Sequence, residues 1–128
     1  MKIKEIKKAF FGGILATAIM SALIFISPSL GFPRMPVWEI LANLFGVPVF
    51  AGWIIHFLIG IFLAGIYILF FKKRLPGNYA LKGMIFSLFP FFLAQISSLF
   101  SGKISLMLAL GSLIGHLVYG FVLGLTTK

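Results

Sequence analysis

Four long apolar stretches divide the sequence, at about residues 9–27, 47–71, 80–100 and 104–125. Each is close to the ~20 residues that an α-helix needs to cross ~30 Å of hydrocarbon. Because the connections between them are mostly short, consecutive helices are expected to run antiparallel and to pack as one bundle. The sequence therefore predicts an all-α, four-helix transmembrane bundle that forms a single domain over residues 1–128.

The composition excludes the water-soluble classes of enzyme. Charged residues make up 10% of the chain and hydrophobic residues 61%, whereas soluble domains carry about a quarter charged residues. The formal net charge of +9 comes from 11 Lys and Arg against two acids, but these charges lie in short clusters between apolar runs, so no nucleic-acid partner is expected. Cysteine is absent, which excludes disulfides, thiolate metal sites, Fe–S clusters and a cysteine nucleophile.

The distribution of the basic residues predicts the orientation of the chain in the membrane. With the N-terminus inside, the outer side carries only Arg34 and Lys103, and the inner side carries Lys2, Lys4, Lys7, Lys8, Lys72, Lys73, Arg74, Lys82 and Lys128. This bias follows the positive-inside rule, so we expect a multi-pass protein of the inner (cytoplasmic) membrane with both termini cytoplasmic. The basic N-terminus resembles a signal peptide, but its apolar run is long and Ile26-Ser27-Pro28 is a poor cleavage site. The first span is therefore expected to be retained.

A short amphipathic helix is predicted in the loop between the first two spans, at about residues 36–46. Pro36 suits its first turn and Gly46 its end. It should lie flat at the outer interface and turn towards the bundle a face made of Val37, Ile40, Leu41 and Leu44. Glu39 is expected to face water or Arg34. Interface anchors are predicted at Trp38, Trp53, Tyr67 and Tyr79.

An internal repeat carries the two histidines of the chain. Residues 52–64 and 112–124 share the pattern small–x3–His–x3–Gly–x3–small, which places each histidine on one helix stripe with small residues. Gly12-Gly13-Ile14 and Gly83-Met84-Ile85 form a weaker echo in the first and third spans. The pattern predicts a duplicated helical hairpin with an axis along the membrane normal. Such an axis would bring His56 and His116 towards one site.

Several interpretations of this polar core remain open. Ser21, Gln95 and Tyr119 are expected beside the histidines, and interhelical hydrogen bonds, for example from His56 to Gln95, would hold the bundle in register. Alternatively, His56 and His116 are axial ligands of a b-type haem. The glycines that would let a flat ring approach the backbone are Gly52, Gly60, Gly120 and Gly124. These glycines also fit ordinary helix packing.

Other ligands and activities have less support in the sequence. A proton or small-solute pathway lacks an intramembrane acid, and two imidazoles without carboxylates make an incomplete site for a non-haem metal. No G-x-S-x-G, HExxH or Walker pattern is present, so the chain is predicted to be non-enzymatic. The leading hypothesis is a small accessory or binding subunit of a larger membrane assembly, with lipid and other membrane subunits or further copies of itself as partners.

Two motifs resemble a family of small bacterial four-span membrane proteins of unknown function. They are G-W-x-x-H-F-x-x-G at residues 52–60 and H-x-x-Y-G-x-x-x-G at residues 116–124. The resemblance extends to an acid in the outer helix, here Glu39. It implies four spans, and it singles out His56, Gly60, His116, Tyr119 and Gly120. It implies no reaction.

Overall fold

The computed structural model describes residues 1–102 and 105–128, and it is helical with no strand in that part of the chain. The helices are α1 (Ile3–Ile26), α2 (Val37–Phe45), α3 (Val49–Ile66), α4 (Tyr79–Ser101) and α5 (Leu106–Thr126). A 3-10 turn (Ser27–Leu30) follows α1, and a π-helical segment (Tyr67–Phe71) continues α3. Four of these helices, α1, α3, α4 and α5, are long and apolar enough to cross a membrane. The chain is therefore a multi-pass membrane protein.

The helix ends agree with the predicted spans except at the N-terminus. Helix α1 begins at Ile3 instead of near residue 9, because the basic segment contains no helix breaker and the Glu5 carboxylate accepts a hydrogen bond from the Lys2 N–H at 3.2 Å. Two predicted features, the start of the fourth span at Ile104 and the outer cation Lys103, lie outside the described residues. Side-chain caps at Asn78 and Ser105 begin α4 and α5.

The four long helices pack in the order α3, α1, α5, α4. Helix α1 lies against both α3 and α5, α5 lies against α4, and α2 packs on α3. Both chain termini lie at one end, which we call the termini end, where Lys72 donates a hydrogen bond to the carbonyl of Thr127. At this end the Phe86 ring of α4 packs on Tyr67 and Phe71, with ring centroids 5.3 and 5.1 Å apart. Towards the opposite end, the loop end, α3 and α4 separate and leave a gap.

The same glycine contact is made twice, once in each half of the chain. A Cβ placed on Gly60 of α3 would lie 1.8 Å from the Thr17 hydroxyl and 3.4 Å from the Gly13 carbonyl oxygen of α1. A Cβ on Gly120 of α5 would lie 2.8 Å from Ser87 Cβ and 2.2 Å from the Gly83 carbonyl oxygen of α4. Because Gly13 and Thr17 are spaced as are Gly83 and Ser87, the two hairpins use equivalent positions for close helix contact.

The predicted inward face of α2 is wrong in part, since Val37 packs against the core but two of the other three residues do not turn inwards. Ile40 and Leu44 are 57% and 73% exposed, whereas Trp38 and Ala42 are buried. The reason is Gly52 of α3, where a Cβ would lie only 2.0 Å from the Trp38 carbonyl oxygen, so that the backbone of α2 rests directly on α3. The Trp38 and Trp53 rings then stack at a centroid distance of 4.0 Å.

Two of the predicted interface anchors are buried instead. Trp38 is in the stack just described, and Tyr67 is fully buried against Phe86. Packing between helices therefore uses aromatic rings that the sequence pattern places at the membrane surface. Tyr79 remains exposed at the termini end, where the ammonium groups of Lys72 and Lys82 lie 5.9 and 5.8 Å from its ring centroid.

Candidate functional site

A cavity of about 650 Å³ occupies the gap between α3 and α4. This volume is within the range of ligand pockets, which is roughly 300–1,000 Å³. The cavity extends from the loop end, near Arg34 and Asn43, to the middle of the bundle at Gly60 and Tyr119. Its α4 and α5 walls are rich in polar side chains, namely Gln95, Ser97, Ser98, Ser101, Ser112 and His116. The walls from α1, α2 and α3 are mainly apolar, and they include Met20, Ile40, Leu41, Ile59 and Leu63.

Both histidines line this one cavity. His56 is buried on α3, and its Nε2 atom lies 2.9 Å from the Ser21 hydroxyl of α1. That hydroxyl donates its single hydrogen to the Thr17 carbonyl oxygen at 2.6 Å. Nε2 of His56 must therefore carry a hydrogen and donate it to Ser21, which fixes the tautomer and the ring position. The rings of Trp38 and Trp53 lie 6.5 and 6.3 Å from the imidazole centroid.

His116 is held differently, by its own helix. Its Nδ1 atom donates to the Ser112 carbonyl oxygen at 2.7 Å, and Nδ1 also lies 3.3 Å from the Ser112 hydroxyl. The Gln95 amide of α4 donates to that hydroxyl at 3.2 Å. Because Nδ1 carries the hydrogen, Nε2 of His116 is an acceptor. The structure shows no partner for it among residues 1–102 and 105–128.

The predicted bond between His56 and Gln95 is wrong. Each side chain finds a nearer hydroxyl, Ser21 for the histidine and Ser112 for the amide. The polar core is thus two groups on the two sides of the cavity instead of one central pair. The predicted members Ser21, Gln95 and Tyr119 do all lie at or beside the cavity.

Tyr119 joins the two hairpins beneath the histidines. Its buried hydroxyl donates to the Gly60 carbonyl oxygen of α3 at 2.6 Å. The neighbouring Thr17 side chain lines the cavity and is 1% exposed, and its hydroxyl oxygen has no hydrogen-bond partner among the described residues. An unpaired buried hydroxyl is uncommon in proteins, and this one is covered by Gly60 of α3, where an added Cβ would lie 1.8 Å from it.

The four glycines predicted to cradle a flat ring are covered by protein. Added Cβ atoms at Gly52, Gly60, Gly120 and Gly124 would lie 2.0, 1.8, 2.2 and 2.0 Å from the nearest atoms of neighbouring helices. Those atoms belong to Trp38, Thr17, Gly83 and Tyr79. A flat ring could not lie against these glycines, because neighbouring helices already occupy the space next to each one.

The charged residues at the loop end neutralise each other. The Arg34 guanidinium donates to both carboxylate oxygens of Glu39, at 2.7 and 3.1 Å, which confirms the predicted pairing. The hydrogen bond from Arg34 holds the pKa of Glu39 below its ordinary value. Within the described residues, no group of three or more His, Cys, Asp or Glu side chains is placed to hold a metal ion.

Several cavity residues escape sequence-based selection. Thr17 and Ser112 each lie one turn before a selected residue, Ser21 or His116, so helical spacing would have found them. Ser97, Ser98 and Ser101 follow Gln95 in the sequence. Single serines are common in membrane helices, so none of the three is a signal for a site. Only the separation of α3 from α4 makes them part of a site.

Two tyrosines offer a matched test of the hydrogen bonds around the site. We expect Tyr119→Phe to lower the free energy of unfolding by about 1 kcal/mol, because it removes a satisfied buried hydrogen bond. Tyr67→Phe should be neutral or stabilising, because the buried Tyr67 hydroxyl has no partner among the described residues. Reversible unfolding in mixed micelles measures both values. Equal losses in the two variants would contradict the assignment.

Comparison with known proteins places the whole chain in one family. The model of a family of unknown function, DUF6789, matches residues 3–128. Searches of curated proteins and of solved structures found no match. The matched residues include all four long helices, α2, and both histidines. The chain therefore belongs to this family of unknown function.

Proposed function

We propose that the chain is a non-enzymatic membrane protein that binds an uncharged lipophilic molecule bearing a hydroxyl or N–H group in the cavity between α3 and α4. The observation that carries this proposal is the His116 side chain, whose Nδ1 hydrogen is held by Ser112 so that Nε2 is an acceptor on the cavity wall. A hydroxyl or N–H group of the ligand would donate a hydrogen bond to this nitrogen.

The balance of charge and polarity favours an uncharged ligand. The charged side chains that line the described cavity are Arg34 and Glu39, which pair with each other. An ion placed among the apolar side chains of α3 would lose its hydration without a compensating charge. A molecule with an apolar body and a few polar groups suits walls of this kind, where a small number of hydrogen bonds sets the orientation.

The proposal includes the setting of the binding site. With the lysine-rich termini end facing the cytoplasm, as the positive-inside rule favours, the cavity opens in the outer half of the inner membrane. A binding subunit of a larger membrane assembly is the corresponding cellular role. The many exposed apolar side chains on the outer surface of the bundle suit partner helices as well as lipid.

Haem b is the second candidate ligand, and one observation favours it. A metal-bound histidine commonly donates its other ring N–H to a backbone carbonyl, as His116 does to Ser112. Against it, His56 uses its Nε2 hydrogen for Ser21, and the glycines beside both histidines are covered by helices. Haem coordination by both residues would require the bond from His56 to Ser21 to break.

The test is to identify what the protein retains on purification. The full chain is extracted from native membranes in a mild detergent, and the bound small molecules and any partner subunits are measured by mass spectrometry. We expect one uncharged lipophilic molecule at about one per chain, and no Soret band in the oxidised or dithionite-reduced spectrum. A Soret band lost in His116→Leu would replace the proposal by the haem alternative.

Two cavity variants locate the retained molecule. His116→Leu should lower its retention about tenfold, the equivalent of one hydrogen bond, and Ala94→Trp should block the cavity. The matched control is Leu93→Trp, since Leu93 is exposed on the outer surface of the same helix and does not line the cavity. Retention that is unchanged in Ala94→Trp, or lost equally in Leu93→Trp, would refute binding at this cavity.

A further inference from the structure

A second cleft, at the termini end, is surrounded by lysines. It has a volume of about 200 Å³ and lies between the start of α1 and the end of the π-helical segment. Five lysines line it, together with Glu5 and Ile68, and these lysines are Lys2, Lys4, Lys8, Lys72 and Lys73. We call it the lysine cleft. Among the described residues, none lines both this cleft and the cavity between α3 and α4.

Helix geometry assembles the lysine cleft from two segments that are distant in sequence. Lys4 and Lys8 are one turn apart and lie on the same face of α1. On the other side, the Lys72 N–H bonds the Tyr67 carbonyl oxygen at 2.8 Å, a π-helical bond. A π turn holds one more residue than an α turn, so it rotates the residues that follow by about 100°. Lys72 and Lys73 thereby meet the lysines of α1, and π turns of this kind are frequent at functional sites.

The positive charge in the lysine cleft exceeds the negative charge of the described side chains that line it. Glu5 is the acidic side chain that lines it, and one of its oxygens already accepts from the Lys2 N–H. Lys72 donates to the carbonyl of Thr127, which carries only partial negative charge, and Lys8 donates to a backbone oxygen of Lys128. Partial burial, and then the charge of Lys8, lower the pKa of Lys72 below its ordinary value. An anion in the lysine cleft would relieve this repulsion.

We infer that the lysine cleft binds the phosphate head of an anionic lipid. The lysines lie where apolar helices end, at the level of the headgroups, and Ile68 gives the cleft an apolar side. Exposed apolar side chains next to it, Ile3, Ile6 and Phe70, would contact the acyl chains. Basic pockets between membrane helices on the cytoplasmic side bind anionic headgroups by the same physics. A free phosphate would use the same lysines but would gain nothing from the apolar surroundings.

The test measures lipid binding to the full chain in detergent. Native mass spectrometry is recorded after addition of equal amounts of dioleoyl phosphatidylglycerol and dioleoyl phosphatidylcholine. We expect preferential retention of phosphatidylglycerol. Lys4→Gln combined with Lys73→Gln should lower its apparent affinity about 25-fold, since each lysine near the surface contributes roughly fivefold. Lys4→Arg combined with Lys73→Arg, which keeps the charge, should retain the lipid.

A charge-matched double variant distinguishes lipid binding in the lysine cleft from general electrostatic attraction of the lipid to the protein. Lys7 is exposed and Lys82 is half-buried, and both lie outside the lysine cleft, so Lys7→Gln combined with Lys82→Gln removes the same net charge and should leave the affinity nearly unchanged. An equal loss in this control would overturn the inference. Displacement of the lipid by equimolar glycerol 3-phosphate would assign the cleft to a soluble phosphate instead. None of these outcomes depends on what the larger cavity binds.

Discussion

Phe86→Ala is expected to lower the free energy of unfolding by about 3 kcal/mol. Phe86 is 2% exposed and fills the space where α4 meets the π-helical segment, in contact with the Tyr67 and Phe71 rings. Loss of a buried phenylalanine side chain costs about 3–5 kcal/mol in protein cores. The lower end applies here, because the unfolded helices remain in an apolar solvent and the loss is mainly one of packing.

The measurement is unfolding of the purified chain in mixed micelles by added dodecyl sulfate. Phe89→Ala is the matched control, since Phe89 lies on the same helix and is 49% exposed; it should change the free energy of unfolding by less than about 0.5 kcal/mol. Similar losses in both variants would show that the aromatic contact at the termini end does not hold α3 and α4 together.

Gly83→Ala should be the most disruptive of the small substitutions. Its new Cβ would lie 1.9 Å from the Gly120 carbonyl oxygen and 2.8 Å from the Gly124 nitrogen. Both atoms belong to the backbone of α5, so no side chain can rotate away and the helices must separate. We expect a loss of about 2–3 kcal/mol in the free energy of unfolding, at the upper end for overpacking by one methyl group.

Gly65→Ala provides the control for the effect of glycine itself. The nearest atom to a Cβ at Gly65 is the terminal methyl of Met1, at 4.0 Å, so the methyl group has room. Alanine is also the better helix former by roughly 1 kcal/mol, and the variant should be neutral or stabilising. Destabilisation of the same size in both variants would mean that backbone contact is not what limits Gly83.

The membrane spans, and the use of glycines for close helix contact, could be predicted from the sequence because both depend on local residue patterns. Long apolar runs predict membrane helices whatever their neighbours are, and small residues at helical spacing predict close contact. The pairing of the glycines needs more than pattern: Gly83 meets Gly120 only because α4 and α5 lie side by side, and the sequence does not state which helices are adjacent.

The candidate site was predictable in part for the same reason. His56 and His116 are selected by their rarity, and the repeat predicts that they approach one site; both do line one cavity. The partner of His56 depends on the distance between α1 and α3, so Ser21 replaces the Gln95 that the sequence suggests, whereas Ser112 lies one turn before His116 on the same helix. Half of the predicted face of α2, Ile40 and Leu44, is exposed instead, because one glycine, Gly52, allows a backbone contact that outweighs a regular apolar stripe.

The two hairpins, aligned by their glycine contacts, differ in the residue that faces the histidine. Ser21 of α1 and Phe91 of α4 occupy corresponding places, eight positions after Gly13 and Gly83 respectively. The first histidine meets a hydroxyl there and is fixed, whereas the second meets an aromatic ring, 5.9 Å between centroids, and keeps a nitrogen available. Equivalent positions therefore treat the two histidines differently: one ring is fixed between α1 and α3, and the other is held within its own helix.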